Sequence, residues 1–166
     1  MKRKQPWLEW LSRSDAEIAE AWMEAWWVDG RSHAETDRVP PLLRQEIEQL
    51  HLGLIALATQ EPMRALEVAF IVARTADHPG MVAEIASGVI QDVTRADPTL
   101  WDAVAIEAAG NTRLLHAICL IWGADVPVQL RDALRRLAQA AEARSSGATG
   151  PERGRSGDDP EAAATR

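Results

Sequence analysis

A chain of 166 residues with 46% hydrophobic and 26% charged side chains is sized for one domain around one core, and neither fraction marks disorder along its body. A net charge of −7 repels phosphate backbones, which argues against nucleic acid as a partner and favours another protein, preferably a basic one. The lone cysteine, Cys119, excludes an internal disulfide framework, and no uncharged stretch is long enough to span a bilayer, so the expected setting is the reducing cytoplasm with no membrane contact.

The basic start, Met1 to Gln5, is not followed by the apolar run of a signal peptide, because Glu9, Arg13 and Asp15 interrupt it. From there apolar residues recur at spacings of three and four, with no sustained alternation of two, so the expected class is all-α with about seven antiparallel helices. A short first helix holds Trp7, Trp10 and Leu11. The second begins at Ser14, which with Glu17 three residues on forms a capping box; it turns Ile18, Trp22 and Trp26 inward and is expected to end at Gly30 in a left-handed cap. After a polar loop over 31–39, Pro40-Pro41 opens a long helix with Leu43, Ile47, Leu50, Leu54 and Leu57 on one face.

Pro62 opens the next helix, since proline at a first helical position forfeits no hydrogen bond. Its stretch Ala65–Ala73 is apolar all round except for Glu67, the pattern of a helix buried on most sides. His78-Pro79-Gly80 turns into a helix expected to face Val82, Ile85, Ala86, Val89 and Val93 inward. Asp97-Pro98 starts a helix with Trp101, Val104, Ala105 and Ala108 inward and Gly110 at its end. Asn111 caps a helix whose Leu114–Trp122 stretch is again almost wholly apolar, so 62–75 and 112–123 are the expected inner helices. Pro127 opens the last, with Leu130, Leu134, Leu137 and Ala141 inward and Arg131, Arg135 and Arg136 outward.

Composition changes after Arg144. Residues 145–166 carry small apolar groups at most and cannot offset their chain entropy, so the expected organisation is one helical domain over 1–144 and a disordered tail over 145–166. Pro62 and Pro98 stand 36 residues apart, and in that register Val68 meets Val104, Ala69 meets Ala105, Phe70 meets Ile106 and Ala73 meets Ala109. That period suits helical hairpins stacked as in HEAT repeats; the other architecture open to the pattern is an irregular helical bundle.

The stretch Gly88-Val89-Ile90-Gln91-Asp92-Val93, followed some thirty residues later by Ile121-Trp122 at a helix end, resembles a bacterial all-helical domain family of unknown function with a Gly-Pro-Leu-Glu-Asp-Leu-like motif. The resemblance implies a helical domain and transfers no activity. Val89 stands in place of the proline, Gln91 in place of the glutamate, and a second acidic position of the family falls on Ala105. Any chemistry those carboxylates performed would be missing from this chain.

Seven tryptophans with no tyrosine, five of them within residues 7–27, mark a candidate binding patch at Trp7, Trp10 and Trp27, because tryptophan buries much area at low entropic cost; the competing role is packing of the N-terminal hairpin. Glu84, Gly88 and Asp92 follow each other at four-residue spacing, opposite the apolar stripe, and would form either a notch for a cation or a surface where a neighbouring helix approaches the glycine. His33, Glu35 and Asp37 alternate in a loop without the held donors a metal needs, so no metal or other cofactor is expected. His116 and Glu67, lone titratable groups on the two inner helices, are candidates for a buried pair, and Cys119 reads as a small core residue. The functional expectation is a non-enzymatic protein-interaction module of adaptor or immunity type. The alternative is a hydrolase-type enzyme using a carboxylate-lined groove around Asp92, with Glu84 and Asp102 as further carboxylates.

Overall fold

In the computed structural model, which describes residues 7–32, 40–121 and 128–147, the helical periodicity is met by eight helices and, among the described residues, no strand. They are α1 (Leu8–Leu11), α2 (Asp15–Ser32), α3 (Pro41–Gln60), α4 (Pro62–Thr75), a continuous α5 over 79–96, α6 (Trp101–Gly110), α7 (Thr112–Ile121) and α8 (Val128–Gly147). The loop with His33, Glu35 and Asp37, Trp122, and the tail over 148–166 lie outside the described residues.

The start signals act as their chemistry requires. Glu17 N–H donates to Ser14 Oγ at 3.3 Å while Ser14 N–H donates to the Glu17 carboxylate at 2.8 Å, the reciprocal capping box. The Ser14 hydroxyl and N–H hold the Glu17 carboxyl below its ordinary range. Pro62 is the first residue of α4, and Asn111 Oδ1 accepts from Leu114 N–H at 3.1 Å at the head of α7. His78 Nδ1 accepts from Gly80 N–H at 3.0 Å and caps α5.

Stop signals and faces differ more. α2 passes through Gly30 to Ser32 instead of ending there, and α8 runs on to Gly147, past the compositional break at Arg144. Pro98 does not open α6 directly: Asp97 caps a 3-10 turn, Pro98–Leu100, and the α-helix begins at Trp101. The middle of α5 is a π turn, Ala86–Ile90, whose extra residue rotates the helix against its sequence period. Ile90 is therefore buried where Val89 was expected, and Val89 is half-buried at a groove.

α4 packs against α2, α3 and α5 and buries Ala65, Leu66, Val68, Ala69, Phe70, Val72 and Ala73, as an apolar-all-round helix must. α7 is less central than its sequence suggests. Leu114, Leu115, Ala117 and Ile118 are buried against α5, α6 and α8, but Leu120 is 86% exposed and Cys119 is exposed, not a core residue. The 36-residue register holds at Val68 and Val104, both buried, and fails beyond them: Phe70 is buried while Ile106 is 78% exposed, and Ala73 is buried while Ala109 is exposed. The 3-10 entry gives α6 a different start from α4, and α6 has neighbours on fewer sides.

α5 joins the two parts of the chain, touching α3 and α4 on one side and α7 on the other. Arg74 of α4 reinforces that join by donating to both Glu107 oxygens of α6, at 2.8 and 2.6 Å, with Glu67 at 3.1 Å; the Glu107 carboxylate is the main reason its guanidinium is held strongly protonated. At the other end Arg64 of α4 donates to Leu11 O, Arg13 O and the Asp15 carboxylate, fastening the α1–α2 corner.

Candidate functional site

Two grooves lie along α3, one on its first half and one on its second, and they share no wall residue. The larger, about 670 Å³, lies where α1, α2 and the first half of α3 diverge. Trp10, Ala21, Ala25, Val28, Leu43, Ile47 and Leu50 supply its apolar surface. Glu9, Glu24 and Glu46 stand on its rim and meet no cation among the described residues. Among the described residues Arg13 is the one basic side chain on its wall, and its guanidinium lies over the Trp10 ring at 4.1 Å. Leu43 and Ile47 belong to the apolar stripe read from sequence, yet they are only half-buried, whereas Leu50 further along the same stripe is buried, because the described helices draw apart at this groove. Leu42 beside them is 77% exposed.

The smaller groove, about 300 Å³, runs between α3 and α5 with Trp22 of α2 at its base. α3 contributes His51, Leu54, Ile55 and Ala58; α5 contributes Glu84, Ile85, Gly88, Val89 and Asp92. The expected trio Glu84, Gly88 and Asp92 is thus on one wall, with Ile85 and Val89 on the same wall instead of a separate face, a consequence of the π turn. Gly88 is not there for packing: a Cβ built on it meets nothing within 4 Å. The Trp26 indole N–H donates to Glu84 Oε2 at 2.6 Å and orients that carboxylate.

The tryptophans separate into groups. Trp27 stacks edge-on to Trp26 at 5.3 Å between centroids and contacts His78 at 5.7 Å, so through Trp26 it is joined to Glu84. Trp10 instead packs on α3, where a Cβ on Gly53 would stand 2.9 Å from the Trp10 Cβ. Trp7 caps α1 and is half-buried. Trp7 and Trp10 therefore sit at the α1 end of α2, and Trp27 at the far end, about 18 Å along the helix from its first turn. His116 and Glu67 do not form a buried pair; His116 lies 3.7 Å from Glu142 and Glu67 pairs with Arg74. Among the described residues, no group of three or more histidine, cysteine, aspartate or glutamate side chains is placed to hold a metal, and no helix is long and apolar enough to cross a membrane.

His51, Ile55 and the rim residues Glu24 and Glu46 were not singled out from sequence. For Ile55 alone the sequence holds a hint, since Leu52 and Ile55 widen the apolar arc of α3 beyond the stripe that one packed face requires; that it forms a groove wall with His51 follows only from the packing of α3 beside α5. With this geometry in hand, comparison with known proteins adds no relative: the chain matches no family model, no curated protein and no solved structure.

Proposed function

We propose that this chain is a protein-interaction module, of adaptor or immunity type, whose larger groove receives a basic amphipathic segment of another protein. The observation that supports this is the groove itself: an apolar surface between α1, α2 and α3 rimmed by Glu9, Glu24 and Glu46, none of which has a cationic partner among the described residues. Apolar side chains of a partner would leave water against Ala25, Ile47 and Leu50, and its cations would meet the rim, where complementary charge speeds encounter and excludes acidic competitors. The net charge of −7 acts in the same direction over longer range. A hydrolase site at Asp92 has less support, since Asp92 and Glu84 are exposed beside an open groove and carboxylate catalysis draws on water-excluded settings.

The test is photo-crosslinking inside the source cell from an unnatural residue at position 42, on the groove rim. A basic heterologous partner should be captured, and the adduct should disappear in the Glu24→Arg/Glu46→Arg variant while surviving Leu120→Asp on a distant surface. Adducts that persist in the reversed variant, or that contain only a second copy of the chain, contradict the reading.

A further inference from the structure

Gly88 occupies a helix interior, where glycine costs about 1 kcal/mol relative to alanine, and nothing among the described residues approaches it closely enough to offset that cost. Its bare backbone faces the smaller groove, with Glu84 four residues before it and Asp92 four residues after. Both carboxylates are exposed, and neither meets a cation among the described residues. They stand about 12 Å apart along the helix at a rise of about 1.5 Å per residue, too far for one guanidinium to bridge. A helix that fits here needs a small residue at the crossing point and a cation about one turn to each side.

The same chain carries that pattern on α8. Arg136, Ala140 and Arg144 follow at four-residue spacing and all three are exposed; Arg136 and Ala140 lie away from buried Leu134 and Ala138, and Arg144 follows one turn on, nearer the Leu137 edge of the core-facing stripe. Arg136 has no ion pair among the described residues, and Arg144 donates only to its own helix, Nε to Ala140 O at 3.1 Å. The neighbouring charges on α8 are Asp132, paired with Arg135 at 3.3 Å, and Glu142, near His116. On the α3 side of the groove His51 is the titratable group, and Ile55, 60% exposed, is the apolar one.

We infer that the smaller groove is a self-association site, in which α8 of a second copy crosses α5 with Ala140 over Gly88 and with Arg136 and Arg144 against the two carboxylates. Charge complementarity selects this occupant: two cations at the span of two anions that meet no cation among the described residues, Glu84 being held in place by the Trp26 indole N–H at 2.6 Å, with small residues between them on both helices so the backbones can approach. The groove on one copy meets a different surface on the other, and the assembly closes as a dimer when a two-fold axis relates two such contacts. This site is independent of the larger groove, whose walls it does not touch, so failure of either leaves the other standing.

Sedimentation velocity on the full chain tests it through two reversed variants. One is Glu84→Arg/Asp92→Arg, cationic on both surfaces; the other is Arg136→Glu/Arg144→Glu, anionic on both. The wild type should self-associate, and less so as salt is raised. Each variant alone should associate at least about tenfold more weakly, and their equimolar mixture should recover a one-to-one complex, whatever the relative direction of the helices. Gly88→Leu, which fills the groove, should give a monomer with unchanged helical circular dichroism. A monomeric wild type, variants that still self-associate, or a folded mixture that stays dissociated would each overturn the inference.

Discussion

Gly53 in α3 and Gly88 in α5 carry the same conformational cost, but one lies under an indole and the other faces open space. At Gly53 the missing side chain lets α1 seat Trp10 directly on the α3 backbone, so the cost returns as packing inside the chain. At Gly88 no side chain among the described residues fills the gap, and the helix around it has a π turn with Glu84 and Asp92, neither facing a cation among those residues, on either side. A helix-interior glycine is therefore not by itself a mark of close packing: Gly53 is pressed by Trp10, and Gly88 has nothing within 4 Å among the described residues.

The largest way to break the contrast is to put bulk where space is absent. Gly53→Leu should destabilise the domain by about 3 kcal/mol in urea unfolding, because its side chain must displace Trp10 from a well-filled contact. Removing the knob instead, Trp10→Ala should cost about 2 kcal/mol, less than a fully buried aromatic because the indole is half-buried. The double variant should cost clearly less than both changes added, since they act on one contact; strict additivity would show that Trp10 does not rest on Gly53. Arg64→Ala should follow at about 1 kcal/mol by leaving Leu11 O and Arg13 O without their donor, and amide exchange should quicken in α1 before it does in α4.

The smallest effect is electrostatic and concerns the start of α2. Folding depresses the Glu17 carboxyl, so its contribution is present above the ordinary glutamate value and is lost as pH falls through the lower folded value. Glu17→Gln should therefore flatten the acid end of the stability curve slightly and leave neutral pH nearly unchanged. An acid slope that is identical in the variant would remove the capping box from the account.

Start signals were legible in the sequence because capping is local: Ser14 with Glu17, Pro62 and Asn111 each act within one turn of themselves. The all-helical class and the burial of α4 followed from periodicity and composition for the same reason. What escaped was of two kinds. Local departures from the α-helical period, the π turn that moved burial from Val89 to Ile90 and the 3-10 turn at Pro98 that separated α6 from its apparent repeat of α4, leave the apolar pattern unchanged, while Cys119 and Leu120 are exposed because the described helices cover the other face of α7, which only the tertiary packing decides. For the candidate site, the spacing of Glu84, Gly88 and Asp92 was visible; the opposing wall of His51 and Ile55 was not, since only the packing of α3 beside α5 supplies it.

The central claim, that the gap at Gly88 is kept for something outside the fold, is tested most directly by equilibrium urea unfolding of Gly88→Ala in dilute solution, with Gly53→Ala alongside. Alanine at 88 should raise stability by about 0.5–1 kcal/mol, the ordinary helical preference with no steric penalty, while alanine at 53 should lower it through the clash with Trp10. A loss of stability at 88 as large as the loss at 53 would show that Gly88 is a packing position within the chain and would contradict the account.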